Sequence, residues 1–169
     1  HYEQVSPGGE PVVGLIGSMQ WGPSRSAAER LIARIWPQVR SAMPTATLLV
    51  AGGLADRHLA GYVGLPGVEL RANISHPREF FAETAVLAYA PERGSGMKIK
   101  VMEAMAYGVP VVTTTEGVEG LQVEPGRHAH VADDDATLAE MIVGVLRDRN
   151  AAARMAREAR TLIVEQYSP

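Results

Sequence analysis

Cysteine is absent from the 169-residue chain, so neither a disulfide framework nor a thiolate metal site is open to it. That composition suits a reducing, cytoplasmic compartment. Long apolar runs are missing as well: none reaches the ~18 residues a membrane-spanning helix needs. Neither sign of charge dominates. The formal net charge is −3 and the pI near 6.0, which argues against nucleic-acid or membrane binding through bulk electrostatics. No secretory signal is legible, because His1-Tyr2-Glu3-Gln4 has neither a basic cluster nor an apolar core. The chain opens on His1 rather than Met, and the expectation is a piece of a longer protein. Lysine is scarce. Of sixteen basic residues only Lys98 and Lys100 are lysines, and both stand beside Gly94-Ser95-Gly96. A chain that otherwise uses Arg has put its two compact point charges at one spot.

What is present reads as one soluble domain: 46% apolar and 21% charged residues, on a length sufficient for a full core. Short apolar runs rich in β-formers occur at Pro11–Ile16, Ala46–Ala51, Val68–Arg71, Ala85–Ala90, Val109–Thr113 and His128–Ala132. Helical stretches alternate with them, the pattern of a parallel sheet covered on both faces. Several runs, such as Leu48-Leu49-Val50-Ala51, show no polar alternation, as strands buried on both faces should. Among the helices, Ser26-Ala27-Ala28-Glu29 has capping-box form, and Pro37 is expected to end or kink the helix it opens. Ile99–Tyr107 reads as a helix stopped by Gly108. Asp133-Asp134-Asp135 opens another, and Asn150 is the expected cap of the last. Pro77–Ala82 is too short to assign. The prediction is a doubly wound α/β sheet of about six parallel strands, with ligands at the carboxyl ends of the strands.

The strongest candidate site runs strand, glycine loop, helix from Pro91 to Gly108. Gly94 and Gly96 let backbone approach a ligand, and the free N–H groups of the following helical turn point at it. Lys98 and Lys100 add positive charge at a helix end where the dipole opposes it. An anion at that spot explains the arrangement, and phosphate is the expected ligand. The loop is not a Walker loop, since Ile99 follows Lys98, and GxGxxG does not follow the first strand, so neither P-loop nor NAD chemistry is expected. Glu103, five residues beyond Lys98, lies roughly 7–8 Å along the helix, a nucleotide's distance from diphosphate to ribose diol. His128 and His130 alternate on a strand without a third ligand spaced to join them, and no metal site is expected. Glu119 faces the cleft in this topology, and Trp21 is either a lid or a core side chain.

From Pro91 to Leu121 the chain resembles the nucleotide-binding C-terminal half of GT-B glycosyltransferases of group 1 (glycosyltransferase family 4). The stretch Gly94-Ser95-Gly96-Met97-Lys98-Ile99-Lys100-Val101-Met102-Glu103-Ala104-Met105-Ala106-Tyr107-Gly108-Val109-Pro110, then Glu116-Gly117-Val118-Glu119-Gly120-Leu121, carries that likeness. Ile16-Gly17-Ser18-Met19-Gln20-Trp21-Gly22-Pro23 is similar to the first strand and loop of one branch, and His1-Tyr2 to the tail of an interdomain linker. The resemblance implies a Rossmann-like half of a GT-B fold over residues 1–169, its acceptor-binding N-terminal half lying outside this chain. It implies a donor site of Gly17, Ser18, Ile74, Gly94, Ser95, Gly96, Met97, Lys98, Lys100 and Glu103. Glu103 matches the family glutamate that holds the ribose hydroxyls. Ser95 stands where the partner glutamate, which contacts the donor sugar, would fall. The base is expected against backbone in Asn73-Ile74-Ser75-His76.

The implied activity is transfer of a glycosyl group from a nucleotide sugar to a carbohydrate, lipid-linked or small-molecule acceptor. Such an enzyme is retaining and metal-independent, takes no cofactor, binds no nucleic acid, and is cytoplasmic or peripheral to a membrane in its full length. This half alone is expected to be inactive. Two rivals stand beside it: a GT-B nucleotide-sugar epimerase, and a non-catalytic doubly wound module that binds phosphate or a protein partner.

Overall fold

The computed structural model describes residues 2–5, 9–93 and 98–167. Six strands lie parallel in one sheet: β1 (Val12–Ile16), β2 (Thr47–Ala51), β3 (Val68–Arg71), β4 (Val86–Tyr89), β5 (Val111–Thr113) and β6 (His130–Val131). Their order is β3-β2-β1-β4-β5-β6, with β1 opposite β2 on one side and β4 on the other. Each run expected from sequence became a strand, and β3 has the expected bounds. The central strands carry apolar side chains on both faces because helices cover both, and β4 is buried along its whole length.

Helices α1 (Gly22–Arg30), α2 (Trp36–Ala42) and α7 (Asp135–Arg147) pack together, as do α4 (Pro77–Glu83), α5 (Ile99–Tyr107) and α8 (Arg149–Tyr167). Short helices α3 (Ala55–His58) and α6 (Thr115–Val118) follow β2 and β5. The approach of α4 to β1 is close enough to need Gly14: a Cβ there would lie 2.6 Å from Phe80 Cζ and 2.7 Å from Thr84 Cγ2. Phe80 and Phe81, both fully buried, fix this short helix by packing rather than by length.

Three expectations about helix ends are corrected. Ser26-Ala27-Ala28-Glu29 is no capping box, because α1 already begins at Gly22, with Trp21 at the N-cap and Pro23 in the first turn. Proline there fixes a helical φ at a position whose N–H has no helical acceptor, so the N-cap falls at Trp21, five residues before Ser26. Nor does Pro37 stop the chain. Leu31–Ile35 widens into a π-helical turn, which accommodates the carbonyl clash and missing N–H of proline, and α2 runs on to Ala42. At the last helix Asp148, not Asn150, caps: its Oδ1 accepts from the Ala151 N–H at 3.0 Å. Elsewhere the ends follow the sequence. Asp134 Oδ2 accepts from the Thr137 N–H at 2.9 Å, and α5 ends at Gly108 with φ +85°.

Candidate functional site

Topology brings the carboxyl ends of β1 and β4 side by side, and Lys100 joins the segments that follow them. It lies in the first turn of α5 and reaches toward the end of β1, where a Cβ on Gly17 would sit 3.3 Å from its Nζ. Nζ lies 3.3 Å from Ser24 Oγ in α1 and 4.4 Å from the centroid of the Tyr89 ring at the end of β4. Burial lowers the Lys100 pKa from 10.5 to about 8, helped by repulsion from Lys98 and opposed by attraction from Glu103. Among the described residues no carboxylate lies within ion-pair distance of it. A buried, uncompensated ammonium is costly in a folded protein, and an anionic ligand relieves that cost.

Gly17 is equally constrained from the other side. Its N–H donates to Ala51 O at 3.0 Å, and Gly52, at φ +132°, comes so close that a Cβ there would overlap the Gly17 carbonyl. Only glycine fits both the dihedral and the contact. Ser18 is exposed and its carbonyl accepts from the Trp21 N–H, while Met19 turns inward and is fully buried. Trp21 is a surface side chain, 47% exposed, rather than a core one.

One turn further along α5 stands Glu103, half-buried, with no hydrogen bond from the described residues to its carboxylate. Burial raises its pKa, and the positive potentials of His76 and Lys100 pull it back. His76 is the N-cap of α4, its Nδ1 accepting from the Arg78 N–H at 3.1 Å. His76, at the end of the loop Asn73-Ile74-Ser75-His76, is therefore within electrostatic reach of Glu103, and Ile74 is partly buried against the core.

The rim after β5 is acidic. Glu116 is raised above the ordinary glutamate value, first by sharing a hydrogen bond with Glu119 and then by burial, against the attraction of Lys98. Its Oε2 is sealed from solvent without a partner. Lys98, the N-cap residue of α5, is itself buried. Asp133 ties this rim to the loop after β6, accepting from the Thr115 N–H at 3.0 Å and Thr115 Oγ1 at 2.8 Å. Behind it Arg30, 6% exposed, donates to Asp135 Oδ1 at 2.8 Å, to the Asp133 carbonyl at 2.8 Å and to the Ala90 carbonyl at 3.2 Å. Arg34 completes the clamp between Asp135 and Glu92, so the start of the glycine loop is anchored to α1 and α7.

Of the sequence candidates, Gly17 and Lys100 are in contact, Glu103 stands a turn along α5 from Lys100, Lys98 is the N-cap residue of the same helix, Ser18 is exposed after β1, and Ile74 packs against the core. Gly94, Ser95, Gly96 and Met97 lie outside the described residues. Among the described residues no cluster of three or more His, Asp or Glu side chains offers a metal-ligand set. His128 is committed locally, its Nδ1 accepting from the Glu124 N–H at 2.9 Å, and burial lowers the His130 pKa. Ser24, Tyr89 and the Arg30 clamp escaped the sequence reading, because each earns its place through contacts between segments far apart in the chain.

The family model for the glycosyl transferases of group 1 matches residues 10–148, and the chain belongs to that family. The fold is shared with several solved structures at low identity. S. aureus TarM, in a complex containing UDP, aligns at 17% identity and TM-score 0.77 over 99% of this chain and 35% of its own. Anabaena HepE in complex with UDP and glucose aligns at 17% identity and TM-score 0.74, over 94% of this chain and 45% of its own. The C-terminal domain of the Francisella tularensis group 1 protein LpcC aligns at 14% identity and TM-score 0.70, over 95% of this chain and 87% of its own. The chain thus spans about a third of TarM and under half of HepE, as a Rossmann-like half of a GT-B fold. No curated protein sequence matches it at a significant level. No helix among the described residues is long and apolar enough to cross a membrane.

Proposed function

We propose that this chain is the donor-binding half of a glycosyltransferase, working with an acceptor-binding N-terminal half. It holds the nucleoside diphosphate of a sugar donor between Gly17, Lys100 and Glu103, with Gly94, Ser95, Gly96 and Met97 as further donor contacts. One observation carries the reading: among the described residues, a buried ammonium without a carboxylate within ion-pair distance and a half-buried carboxylate without hydrogen bonds stand a turn apart on one helix. A diphosphate satisfies the first and a ribose diol the second, accepting both hydroxyl hydrogen bonds on one carboxylate. The complexes of TarM and HepE with UDP support the same class of ligand.

In transfer, negative charge builds on the departing diphosphate, and a fixed ammonium with the N–H groups of the α5 first turn offsets it without a metal. The glycosyl bond to phosphate breaks as a new one forms to the acceptor hydroxyl. Turnover in this reading needs both halves, so residues 1–169 alone are expected to be inactive. Retention of configuration belongs to the same reading and is checked on the full-length enzyme by the anomeric configuration of its product.

The test is ligand-observed NMR with UDP, GDP, ADP and inorganic phosphate. Selective saturation transfer to one nucleoside diphosphate supports the donor site. Equal response to all four, phosphate included, favours the non-catalytic phosphate-binding module.

A further inference from the structure

Lys100 is held by two neutral groups. Ser24 is the third residue of α1, a position whose side chain usually serves its own helix end, yet its hydroxyl lies 3.3 Å from Lys100 Nζ. Tyr89 closes β4, is buried to within 1% of its surface, and sets its ring 4.4 Å from the same nitrogen. Gly17 supplies the third wall, since any Cβ there would press on both Cε and Nζ at 3.3 Å. These walls come from three separate segments, so the ammonium has a fixed address before any ligand arrives.

The chemistry of the walls matters more than their number. A carboxylate in place of Ser24 or Tyr89 would hold the ammonium equally well but would neutralise it. A hydroxyl dipole and an aromatic face attract a cation while leaving its net charge available. We propose that Ser24 and Tyr89 are positioning residues for Lys100, fixing its ammonium beside the Gly17 backbone so that a diphosphate meets a placed, uncompensated cation. The inference rests on the donor-site reading and names how that site is organised. Other charged groups facing Lys100 are on its own helix: Lys98 repels it and Glu103 attracts it. Among the described residues β4 presents the Tyr89 ring to it and α1 the Ser24 hydroxyl. The Lys100 pKa of about 8 then gives the cradle a readout. A diphosphate binds the charged form, so affinity is level below that pH and falls above it. Removing a wall that favours the cation moves the fall to lower pH.

The experiment is calorimetric titration of UDP and UMP between about pH 6.5 and 9.5, spanning the Lys100 transition. It compares the unaltered chain with Ser24→Ala, Tyr89→Phe, Tyr89→Leu and Lys100→Ala. Ser24→Ala and Tyr89→Leu are expected to weaken UDP about tenfold, and UMP less, with the pH break moved down by about half a unit or more. Tyr89→Phe keeps the ring and is expected to stay near the unaltered affinity. Should Tyr89→Leu not fold, Ser24→Ala decides. If Ser24→Ala binds UDP with unchanged affinity and unchanged pH break while Lys100→Ala loses it, the cradle is refuted and the donor site stands. If Lys100→Ala also binds UDP normally, the donor-site reading falls first, and the cradle with it.

Discussion

Glu116 stands beside the Glu119 carboxyl with Lys98 within its field, and the hydrogen bond from Glu119, burial and repulsion by Glu119 together displace the Glu116 midpoint upward. The sign for stability follows: the folded pKa lies above the unfolded one, so the contribution is full below the ordinary glutamate value and fades as pH rises through the folded one. Glu119→Gln is expected to bring the Glu116 midpoint down, read from its side-chain carboxyl carbon in an NMR titration. An unmoved midpoint would assign the shift to burial alone. Glu103 is raised for the opposite balance of reasons, burial first and without a carboxylate neighbour. That residue was legible from its spacing to Lys98 and from the quoted motif. His76 was named within the expected base-binding loop, but the attraction of its imidazole for Glu103 was not legible, because only the turn into α4 sets it within reach of α5.

At the scale of elements, the site depends on a clamp the sequence does not announce. Arg30 immediately precedes the π-helical turn and Arg34 lies within it, and both reach Asp135 at the start of α7. Burial alone would raise the Asp135 pKa, but hydrogen bonds from Arg30 and Arg34 outweigh it and the net shift is downward. Its stabilisation is therefore present above the unfolded value near pH 3.9 and lost as pH falls through the folded one. Asp135→Ala leaves the buried Arg30 guanidinium without its carboxylate and is expected to lower stability by about 2–3 kcal/mol at neutral pH. The loss should shrink toward pH 3, as measured by urea unfolding. A constant loss across that range would detach it from the ion pairs. Strand positions were legible because burial on both faces leaves unbroken apolar runs. The start of α1 and the passage through Pro37 were not, since a proline reads locally as a stop and its accommodation is a matter of the surrounding turn.

For the whole molecule, strand order fixes where chemistry can occur: β1 and β4 adjoin at the sheet's reversal, and Gly17, Tyr89 and Lys100 meet at that crevice. The class of fold was legible from alternation of strands and helices, and the family from the motif between Pro91 and Leu121. The charge of a diphosphate is met here by an ammonium and backbone N–H groups. UDP affinity is therefore expected to be unchanged in EDTA, and a loss restored by Mg²⁺ or Mn²⁺ would reassign the site to metal-assisted binding. The most direct test of the central claim is the ratio of UDP to UMP affinity, measured by calorimetry at pH 7 for Lys100→Ala and Glu103→Ala. Removing the ammonium should lower that ratio, since only the diphosphate reaches it fully. Removing the carboxylate should weaken both nucleotides alike, by roughly 1.5–3 kcal/mol, and leave the ratio intact. If both substitutions lower the melting temperature and leave both affinities unchanged, Lys100 and Glu103 are structural and the donor site lies elsewhere.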